Sequence, residues 1–228
     1  MEERIKVFEE HSMEYERWFE KNRMAYLSEV AAVRALLGQR GRGLEVGIGS
    51  GRFALPLGIR EGVEPSAAMR ELAVKRGLRA VAGTAEELPF ADAQFDQVLM
   101  VTTICFLENV EAGLREALRV LRDGGEIIIG FVDRRSPIGK VYEAEKESSM
   151  FYRHARFFSL DEVVSRLKAA GFSQFEFTQT LFHPLAGIRK MEPVKRGHGE
   201  GSFVVVKGRK SGPAAGFLHM NPCLGGDG

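Results

Sequence analysis

Three alternating glycines stand directly after a short apolar segment, in the run Gly43-Leu44-Glu45-Val46-Gly47-Ile48-Gly49-Ser50-Gly51. Glycines in this position allow a tight turn and let a ligand lie against backbone N–H groups at the start of a helix. The dinucleotide-binding pattern G-x-G-x-x-G would have its third glycine at position 52, which is Arg52. The turn also follows a carboxylate, Glu45, so the pattern does not favour a pyrophosphate as the ligand.

A second acid, Glu64, follows the next apolar segment, residues 59–63. A carboxylate at the carboxyl end of the second strand of a βαβ unit can accept hydrogen bonds from both hydroxyls of a ribose. Pro65 and Ser66 come next, and serine is a residue type that begins helices. A solvated acid in a turn is the alternative interpretation. The glycine turn and Glu64 together favour a ligand that carries a ribose.

Predicted strands and helices, which could position these residues, alternate along the chain in a pattern typical of an α/β fold. Apolar side chains at helical spacing predict one or two amphipathic helices over residues 12–37. Later helix ends are marked by Ser66, by Gly124-Gly125 and by the capping box Ser159-Leu160-Asp161-Glu162. The seven predicted strands are 43–46, 59–63, 78–81, 97–101, 126–131, 174–178 and 202–207.

The composition is that of a globular protein with one core. The chain has 228 residues, of which 44% are hydrophobic and 28% are charged, so a disordered or fibrous class does not fit. The formal net charge is +1. A protein that binds nucleic acid should have a basic face, so no nucleic-acid partner is expected.

Membrane segments and cysteine pairs are also not expected. The most apolar charge-free stretch, residues 97–107, is shorter than the roughly 20 residues that a bilayer-spanning helix needs. The acidic N-terminus lacks the pattern of a secretory signal, which predicts a cytoplasmic location. Cys105 and Cys223 are far apart and provide neither a disulfide framework nor a thiolate metal site.

Two more motifs follow the glycine turn and the segment Gly62-Val63-Glu64-Pro65-Ser66. They are Gly83-Thr84-Ala85-Glu86-Glu87-Leu88-Pro89-Phe90 and Phe95-Asp96-Gln97-Val98. In this order and spacing the four motifs resemble the signatures of class I S-adenosylmethionine-dependent methyltransferases. The resemblance is to small methyltransferase type 11 domains, similar to ubiquinone/menaquinone-biosynthesis methyltransferases, and it covers about residues 40–207. It implies a Rossmann-like, doubly wound, seven-stranded and mostly parallel sheet, with the last strand antiparallel and helices on both faces.

The resemblance also implies a cofactor, S-adenosyl-L-methionine, which leaves as S-adenosyl-L-homocysteine. Glu45 would order the glycine loop or reach the cofactor's amino group through water, and Glu64 would hold the ribose. Thr84 stands where relatives commonly have Asp, so a hydroxyl would have to meet the adenine amine. The glycines would lie along the methionine part, residues 69, 85 and 86 near the adenine, and the carbonyls of residues 100 and 101 at the ammonium. The implied cofactor residues are Glu45, Gly47, Gly49, Gly51, Glu64, Pro65, Ser66, Met69, Thr84, Ala85, Glu86, Met100 and Val101.

No fixed motif marks the residues that carry out the chemistry. Methyl transfer is an in-line displacement, so the protein must chiefly align the reactants and exclude water. Relatives often have a histidine after the fourth strand, but Thr102-Thr103-Ile104-Cys105-Phe106-Leu107 has none. His154 is a candidate base for a hydroxyl acceptor, and a surface histidine is the alternative. The five histidines lack the spacing of metal ligands, so no metal is expected.

Substrate recognition is expected outside the sheet. The predicted organisation is an N-terminal helical cap (1–38), a methyltransferase domain (39–207) in which residues 132–158 form a lid or substrate insertion, and a flexible tail (208–228). A subunit contact, as in a homodimer, is the alternative for the tail. Helix packing is the alternative for the aromatic candidates. The candidate substrate-lining residues are Tyr15, Trp18, Thr102, Tyr142, Tyr152 and Phe158.

The sequence therefore predicts an enzyme that moves a methyl group from S-adenosylmethionine to a small-molecule acceptor. The Asn/Asp-Pro-Pro-Tyr pattern of many nucleic-acid and protein amine methyltransferases is absent after the fourth predicted strand, which disfavours those substrates. Two alternatives stay open. One is a cofactor-binding regulatory or assembly protein without turnover, and the other is an NAD(P)-dependent oxidoreductase, which Arg52 disfavours.

Overall fold

The computed structural model describes residues 2–38 and 41–211, through which one mixed sheet runs. Its strands are β1 (Gly43–Val46), β2 (Glu61–Val63), β3 (Arg79–Val81), β4 (Phe95–Val101), β5 (Leu121–Val132), β6 (Phe172–Thr180), β7 (Lys195–Arg196) and β8 (Phe203–Lys210). The helices are α1 (Glu2–Glu10), α2 (Ser12–Lys21), α3 (Arg23–Arg34), α4 (Ala54–Leu57), α5 (Ala67–Lys75), α6 (Val110–Val120), α7 (Pro137–Glu145) and α8 (Leu160–Ala170).

In the described residues the strand order is β3-β2-β1-β4-β5-β8-β6-β7. The pairs among β1 to β5 are parallel, and β8 lies antiparallel between β5 and β6. The predicted α/β fold, with a mostly parallel sheet and an antiparallel last strand, is therefore confirmed. The sheet has eight strands there instead of seven. The additional strand, β7, pairs two residues with Thr178 and Gln179 of β6, and two residues are too few to show an alternating pattern.

The side chains of the central strands alternate between two apolar cores, one on each face of the sheet. In β4, Val98 and Met100 belong to the core covered by α6 and α8. Their neighbours Leu99 and Val101 belong to the core covered by α2, α3, α4 and α5. Successive strand residues point to opposite faces, and both faces are covered here, so β4 is apolar almost throughout.

Side-chain caps begin two of the helices where the sequence predicts. The Ser66 hydroxyl accepts a hydrogen bond from the N–H of Met69 at 3.2 Å and begins α5. At α8, the Ser159 hydroxyl accepts from the N–H of Glu162, whose carboxylate accepts from the N–H of Ser159 at 2.8 Å. This reciprocal arrangement is the predicted capping box.

Replacing Ser159 by Ala should lower the free energy of unfolding by about 1 kcal/mol, because the first turn of α8 loses a cap. Ser159 is fully buried, so water cannot replace the lost acceptor. Urea denaturation measures the change. Ser148→Ala is the control, because the exposed Ser148 hydroxyl only donates to the Glu145 carbonyl. Equal losses in the two variants would contradict a specific role for the capping box.

Helix α6 ends earlier than predicted. It ends at Val120, and Leu121 already pairs with Phe95 of β4 as the first residue of β5. The side chain of Leu121 is fully buried in the core, which holds the chain in the sheet well before Gly124. The apolar spacing continues through Leu121, so helical period alone could not show this change of element.

Three helices precede β1. The segment 12–37 contains two of them, α2 and α3, which meet at Asn22, and α1 is a further helix that its sequence pattern did not indicate. Strand β8 ends at Lys210, so the predicted start of the tail at residue 208 is wrong. Lys210 pairs with Phe172 of β6, and its ammonium also donates to the carbonyls of Leu118 and Leu121. The remainder of the predicted tail, residues 212–228, lies outside the described residues.

Among the helices of the described ranges, none has the length and apolar character required to cross a bilayer.

Candidate functional site

A cavity lies at the carboxyl edge of the parallel strands, where the strand order reverses between β1 and β4. Open α/β sheets bind their ligands at this point, because neighbouring connections leave the sheet in opposite directions. The cavity contains residues from the ends of five strands and from helices α1, α2, α3, α5 and α7. The residues at or just after strand ends that line it are Gly47, Gly49, Val63, Glu64, Pro65, Gly83, Thr84, Ala85, Glu86, Val101, Thr102, Thr103 and Val132.

The glycine turn after β1 has the backbone shape that its sequence predicts. Gly47 has a φ of +70°, and a Cβ there would lie 2.5 Å from Cγ2 of Thr103. Gly51 has a φ of +84°, but a Cβ there would lie 2.2 Å from Cδ1 of Leu78. Gly47 and Gly49 therefore line the cavity, whereas Gly51 lets the turn pack on the protein interior.

Glu64 lies at the start of the connection after β2, is buried, and lines the cavity. Its two carboxylate oxygens accept hydrogen bonds from the N–H groups of Gly49 at 3.0 Å and Ser66 at 2.9 Å. Burial raises the pKa of Glu64 to about 7, although these two N–H donors favour the ionised form. Each oxygen keeps a further lone pair, so the carboxylate can accept hydroxyl groups of a ligand.

Glu45 lies behind the glycine turn and does not line the cavity. It is 2% exposed, and burial raises its pKa well above the usual range. Its Oε2 atom has no hydrogen-bond partner among the described residues. A buried oxygen without a partner among the described residues, beside a bare glycine turn, fits the cationic methionine end of S-adenosylmethionine, whose ammonium group would reach it through water.

The third motif lines the opposite side of the cavity with Thr84, Ala85 and Glu86. The Glu86 carboxylate is not free, because it accepts from the N–H groups of Glu108 at 2.9 Å and Asn109 at 3.3 Å, just before α6. It therefore joins this loop to the beginning of α6. The contact with an adenine edge that the sequence predicts for this motif would therefore come from the main chain of residues 84 to 86.

The end of β4 contributes Val101 and Thr102, which line the cavity. Thr102 has a φ of +53°, and the Thr103 hydroxyl donates to the Val101 carbonyl at 3.1 Å. Met100 is fully buried in the core and does not line the cavity. The other predicted cofactor residues in contact with the cavity are Pro65 and Met69, whereas Ser66 is buried at the start of α5.

Aromatic side chains from the cap helices and from the segment 132–158 cover the cavity. The aromatic residues in its lining are Phe8, Tyr15, Trp18, Phe19, Phe53, Phe106, Tyr142, Phe151 and Tyr152. The set includes four of the predicted substrate-lining residues, and Thr102 is a fifth. These residues bring the cap and the insertion together over the end of β4, where an acceptor would meet the cofactor.

Two candidates lie outside the cavity. Phe158 is 2% exposed and packs in the core beneath α6 and α8, because it immediately precedes the capping residue of α8. The His154 ring is 40% exposed, and its Nε2 lies 3.7 Å from a carboxylate oxygen of Glu3. The geometry therefore does not support His154 as a base for a reaction inside the cavity.

Several cavity residues were not predicted, and Glu29 is the most unusual of them. It lies on α3, is 4% exposed, and lines the cavity. Burial raises its pKa to about 8. The sequence contained one sign of it, because Glu29 stands among Tyr26, Val30 and Val33 on the apolar side of one helix. Carboxylates are rarely buried in a core unless they are paired.

Arg52, which replaces the third glycine of the dinucleotide pattern, takes part in a buried cluster with the cap. The Glu16 carboxylate of α2 accepts hydrogen bonds from Arg52, Arg76 and the Ser50 hydroxyl. Arg76 also donates to the Ser50 carbonyl at 2.5 Å. Burial opposes ionisation, but these donors hold the pKa of Glu16 below its usual value. The cluster ties α2 to the back of the glycine turn.

Comparisons with known proteins agree with this geometry. A family model described as "Methyltransferase domain" matches residues 44–129. An uncharacterized protein of Methanocaldococcus jannaschii is 44% identical over 206 residues, which are 90% of this chain and 100% of that protein. A malonyl-[acyl-carrier protein] O-methyltransferase of Geobacter sulfurreducens is 31% identical over 62% of this chain and 60% of its own.

A solved structure is similar over nearly the whole described chain. It is a protein of Thermotoga maritima, described as a SAM-dependent methyltransferase and possible histamine N-methyltransferase. It is 51% identical, with a TM-score of 0.89, and the match covers 91% of this chain and 100% of the other. At this identity and coverage the relationship extends to the whole cap and sheet. The chain belongs to the SAM-dependent methyltransferases.

Proposed function

We propose that the protein transfers the methyl group of S-adenosylmethionine to a small molecule bound under the cap. The observation that carries this proposal is the continuity of the cavity. One continuous lining contains the glycine turn and Glu64 at the sheet edge and the aromatic side chains of the cap and the insertion. A methyl donor and its acceptor must share such a space, because in-line transfer requires them to be in contact and shielded from water.

The residues present fit the cofactor. Glu64 would accept the ribose hydroxyls, the N–H groups of the glycine turn would meet the carboxylate, and Met69 would pack near the adenine. When bound, the cofactor supplies a methyl group attached to a positively charged sulfur. A lone pair of the acceptor would attack the methyl carbon and displace the sulfur. The protein's own contribution is to hold both partners in line and to exclude water with the aromatic cover.

The enclosed shape supports a small acceptor. The cavity lies beneath α1, whose Arg4 guanidinium donates to the carbonyls of Phe106 at 3.3 Å and Leu107 at 3.0 Å on the opposite rim. Glu9 of the same helix accepts from the Ser66 hydroxyl at 2.6 Å. A helix fastened at both ends in this way leaves little room for a polymer substrate.

Binding and turnover separate this function from its alternatives. We expect S-adenosylhomocysteine to bind in isothermal titration calorimetry, and NAD(P) not to bind. With methyl-labelled S-adenosylmethionine and a cell extract divided by size, we expect label in the fraction of small molecules. Label in the protein or RNA fraction would contradict the acceptor class, and absence of S-adenosylhomocysteine binding would contradict the proposal altogether. Binding without transfer to any fraction would favour a regulatory or assembly role.

A further inference from the structure

The part of the cavity lined by aromatic side chains also contains a buried carboxyl group, Glu29, which has no hydrogen-bond or ion-pair partner among the described residues. Glu29 is 4% exposed and lines the cavity, and within residues 2–38 and 41–211 no hydrogen bond or ion pair reaches its side chain. Burial alone raises its pKa to about 8. A buried carboxyl without donors destabilises a fold, so its presence here suggests that a ligand supplies the partner.

Glu29 shares the lining of the cavity with three tyrosines, Tyr15, Tyr142 and Tyr152. Burial raises the pKa values of all three, and the negative charge of Glu29 raises each of them further. These tyrosines come from α2, from α7 and from the segment after α7. The rings of Tyr142 and Tyr152 are stacked, with centroids 5.0 Å apart. Glu29 therefore lies in an aromatic enclosure formed by several elements.

Among the cavity-lining residues that the structure describes, the only Lys or Arg is Arg4. Its guanidinium donates to the main-chain carbonyls of Phe106 and Leu107. Since no described cation pairs with Glu29, an ionised Glu29 would give this end of the cavity a negative charge. That charge, among the faces of aromatic rings, is complementary to an organic cation.

The position of Glu29 is separate from the cofactor residues. Helix α3, which carries Glu29, packs on β6, because the Thr178 hydroxyl donates to the Ala32 carbonyl at 2.9 Å. Glu64 follows β2, and β1, β4, β5 and β8 lie between β2 and β6 in the sheet. Glu29 therefore enters the cavity from the opposite half of the sheet, away from the predicted ribose site.

We propose that Glu29 binds a basic nitrogen of the acceptor, and that the acceptor is a small molecule with an aliphatic amino group. This inference rests on the proposed function, because it assigns a substrate class to the same cavity. The surrounding rings hold the cation by their faces, and the carboxylate fixes the nitrogen. The structure thus separates the cavity into a cofactor end, with Glu64, and an amine end, with Glu29.

The Glu29 carboxylate also accepts the proton that the ammonium must lose before its nitrogen can be methylated. An ammonium acceptor gives one proton to the Glu29 carboxylate, which frees the nitrogen lone pair. That lone pair forms the N–C bond to the methyl group, while the electron pair of the breaking C–S bond stays on sulfur. The product leaves as a methylated ammonium, and Glu29 returns its proton to solvent. A buried carboxyl suits this exchange, because burial makes it a stronger proton acceptor than an exposed one.

The test compares amines with matched alcohols in protein saturated with S-adenosylhomocysteine. The probes are histamine, 2-phenylethylamine and tyramine, each beside the alcohol in which a hydroxyl replaces the side-chain amino group. At pH 7 we expect at least one amine to bind at least about tenfold more tightly than its alcohol. Glu29→Gln should remove this preference and keep the affinity for S-adenosylhomocysteine, whereas Glu20→Gln, on the exposed surface of α2, should keep both.

The outcomes separate this inference from the proposed function. If S-adenosylhomocysteine binds but no amine exceeds its alcohol, the amine inference is overturned and methyl transfer stands. An amine preference that survives in Glu29→Gln also overturns it, because the carboxylate would not be the amine's partner. If S-adenosylhomocysteine itself does not bind, the proposed function is wrong and the amine inference is rejected with it.

Thermal unfolding provides a second readout that does not depend on the choice of amine. Glu29 is protonated more readily in the folded chain than in the unfolded chain, so the wild-type protein loses stability as the pH rises towards 8. Without ligand, Glu29→Gln should therefore melt higher than wild type at pH 8.5, with a smaller difference at pH 5. A lower melting temperature for the variant at both pH values would show that the carboxylate already has a stabilising partner, and would overturn the inference.

Discussion

Replacing Glu64 by Ala should weaken the binding of S-adenosylhomocysteine by about 100-fold or more. In the proposed complex the carboxylate accepts two ribose hydroxyls, and each hydrogen bond to a charged group contributes about 1.5 to 3 kcal/mol. The Glu64 carboxylate also joins the glycine turn to the start of α5, because it accepts from the N–H groups of Gly49 and Ser66, and the substitution removes this link. Isothermal titration calorimetry measures the loss.

Glu61→Ala is the matched control for Glu64. Glu61 begins β2, so it lies at the amino edge of the sheet, opposite the carboxyl edge where the cavity lies, and its carboxylate accepts from Arg42 at 2.7 Å and Arg79 at 2.9 Å. Its loss should change the affinity less than about twofold, because interactions at sites without shared partners are independent. Similar losses for Glu61→Ala and Glu64→Ala would mean that the effect comes from the strand and not from the ribose.

The same carboxylate should make cofactor binding dependent on pH. The pKa of Glu64 in the free protein is about 7, and the ionised form is the one that accepts two hydroxyls. Affinity for S-adenosylhomocysteine should therefore be constant above pH 7 and fall below it, approaching about tenfold per pH unit. In Glu64→Gln the affinity should be lower and nearly constant from pH 6 to 8. An unchanged pH profile in this variant would assign the titration to another group.

Replacing Glu16 by Ala should lower the free energy of unfolding by about 3 kcal/mol. The carboxylate is the shared partner of Arg52 and Arg76, whose side chains are 24% and 26% exposed. Removing one partner of a largely buried ion pair leaves uncompensated charge, which typically costs about 3 to 5 kcal/mol, and the partial exposure of the arginines places the effect at the lower end. Urea denaturation followed by circular dichroism measures the change.

Glu14→Ala on the same helix provides the comparison for Glu16. The exposed Glu14 carboxylate pairs with Arg17 one turn away at 3.4 Å, and such pairs contribute at most about 0.5 kcal/mol. The loss in Glu16→Ala should also persist at high salt, because screening acts weakly on buried charges. If the two variants lost equal stability, the cluster would not be what fastens α2 to the glycine turn.

The sheet-edge part of the cavity was largely predictable because its determinants are local. In any parallel α/β sheet, a glycine turn after one strand and an acid after the next strand come to lie near each other, since the carboxyl ends of the strands lie at one edge. Gly47, Gly49 and Glu64 line the cavity as the spacing predicts. Gly51 and Met100 come from the same segments but face the interior, because neighbours in a turn or strand point in different directions.

The acceptor end depended on the fold. Proximity in sequence suggested Phe158 and His154, but the start of α8 directs Phe158 into the core and leaves His154 near Glu3 on the surface. Arg52 marked a departure from the dinucleotide pattern, yet nothing in the motif indicated Glu16 as its partner 36 residues earlier. Contacts over such distances arise only when the cap helices pack on the sheet.

The sequence by itself determined the α/β class, the order of the cofactor motifs and the family to which the chain belongs. These properties depend on residue periods and on spacings within a few turns of the chain. Only the tertiary structure decided which side chains cover the cavity, because α1, α2, α3 and α7 converge on the sheet edge from separate parts of the chain. Glu29 shows the difference most clearly. In the sequence it is one acid in an apolar helix, and in the fold it is a buried carboxyl inside an aromatic cavity, with no partner in the part of the chain that the structure describes.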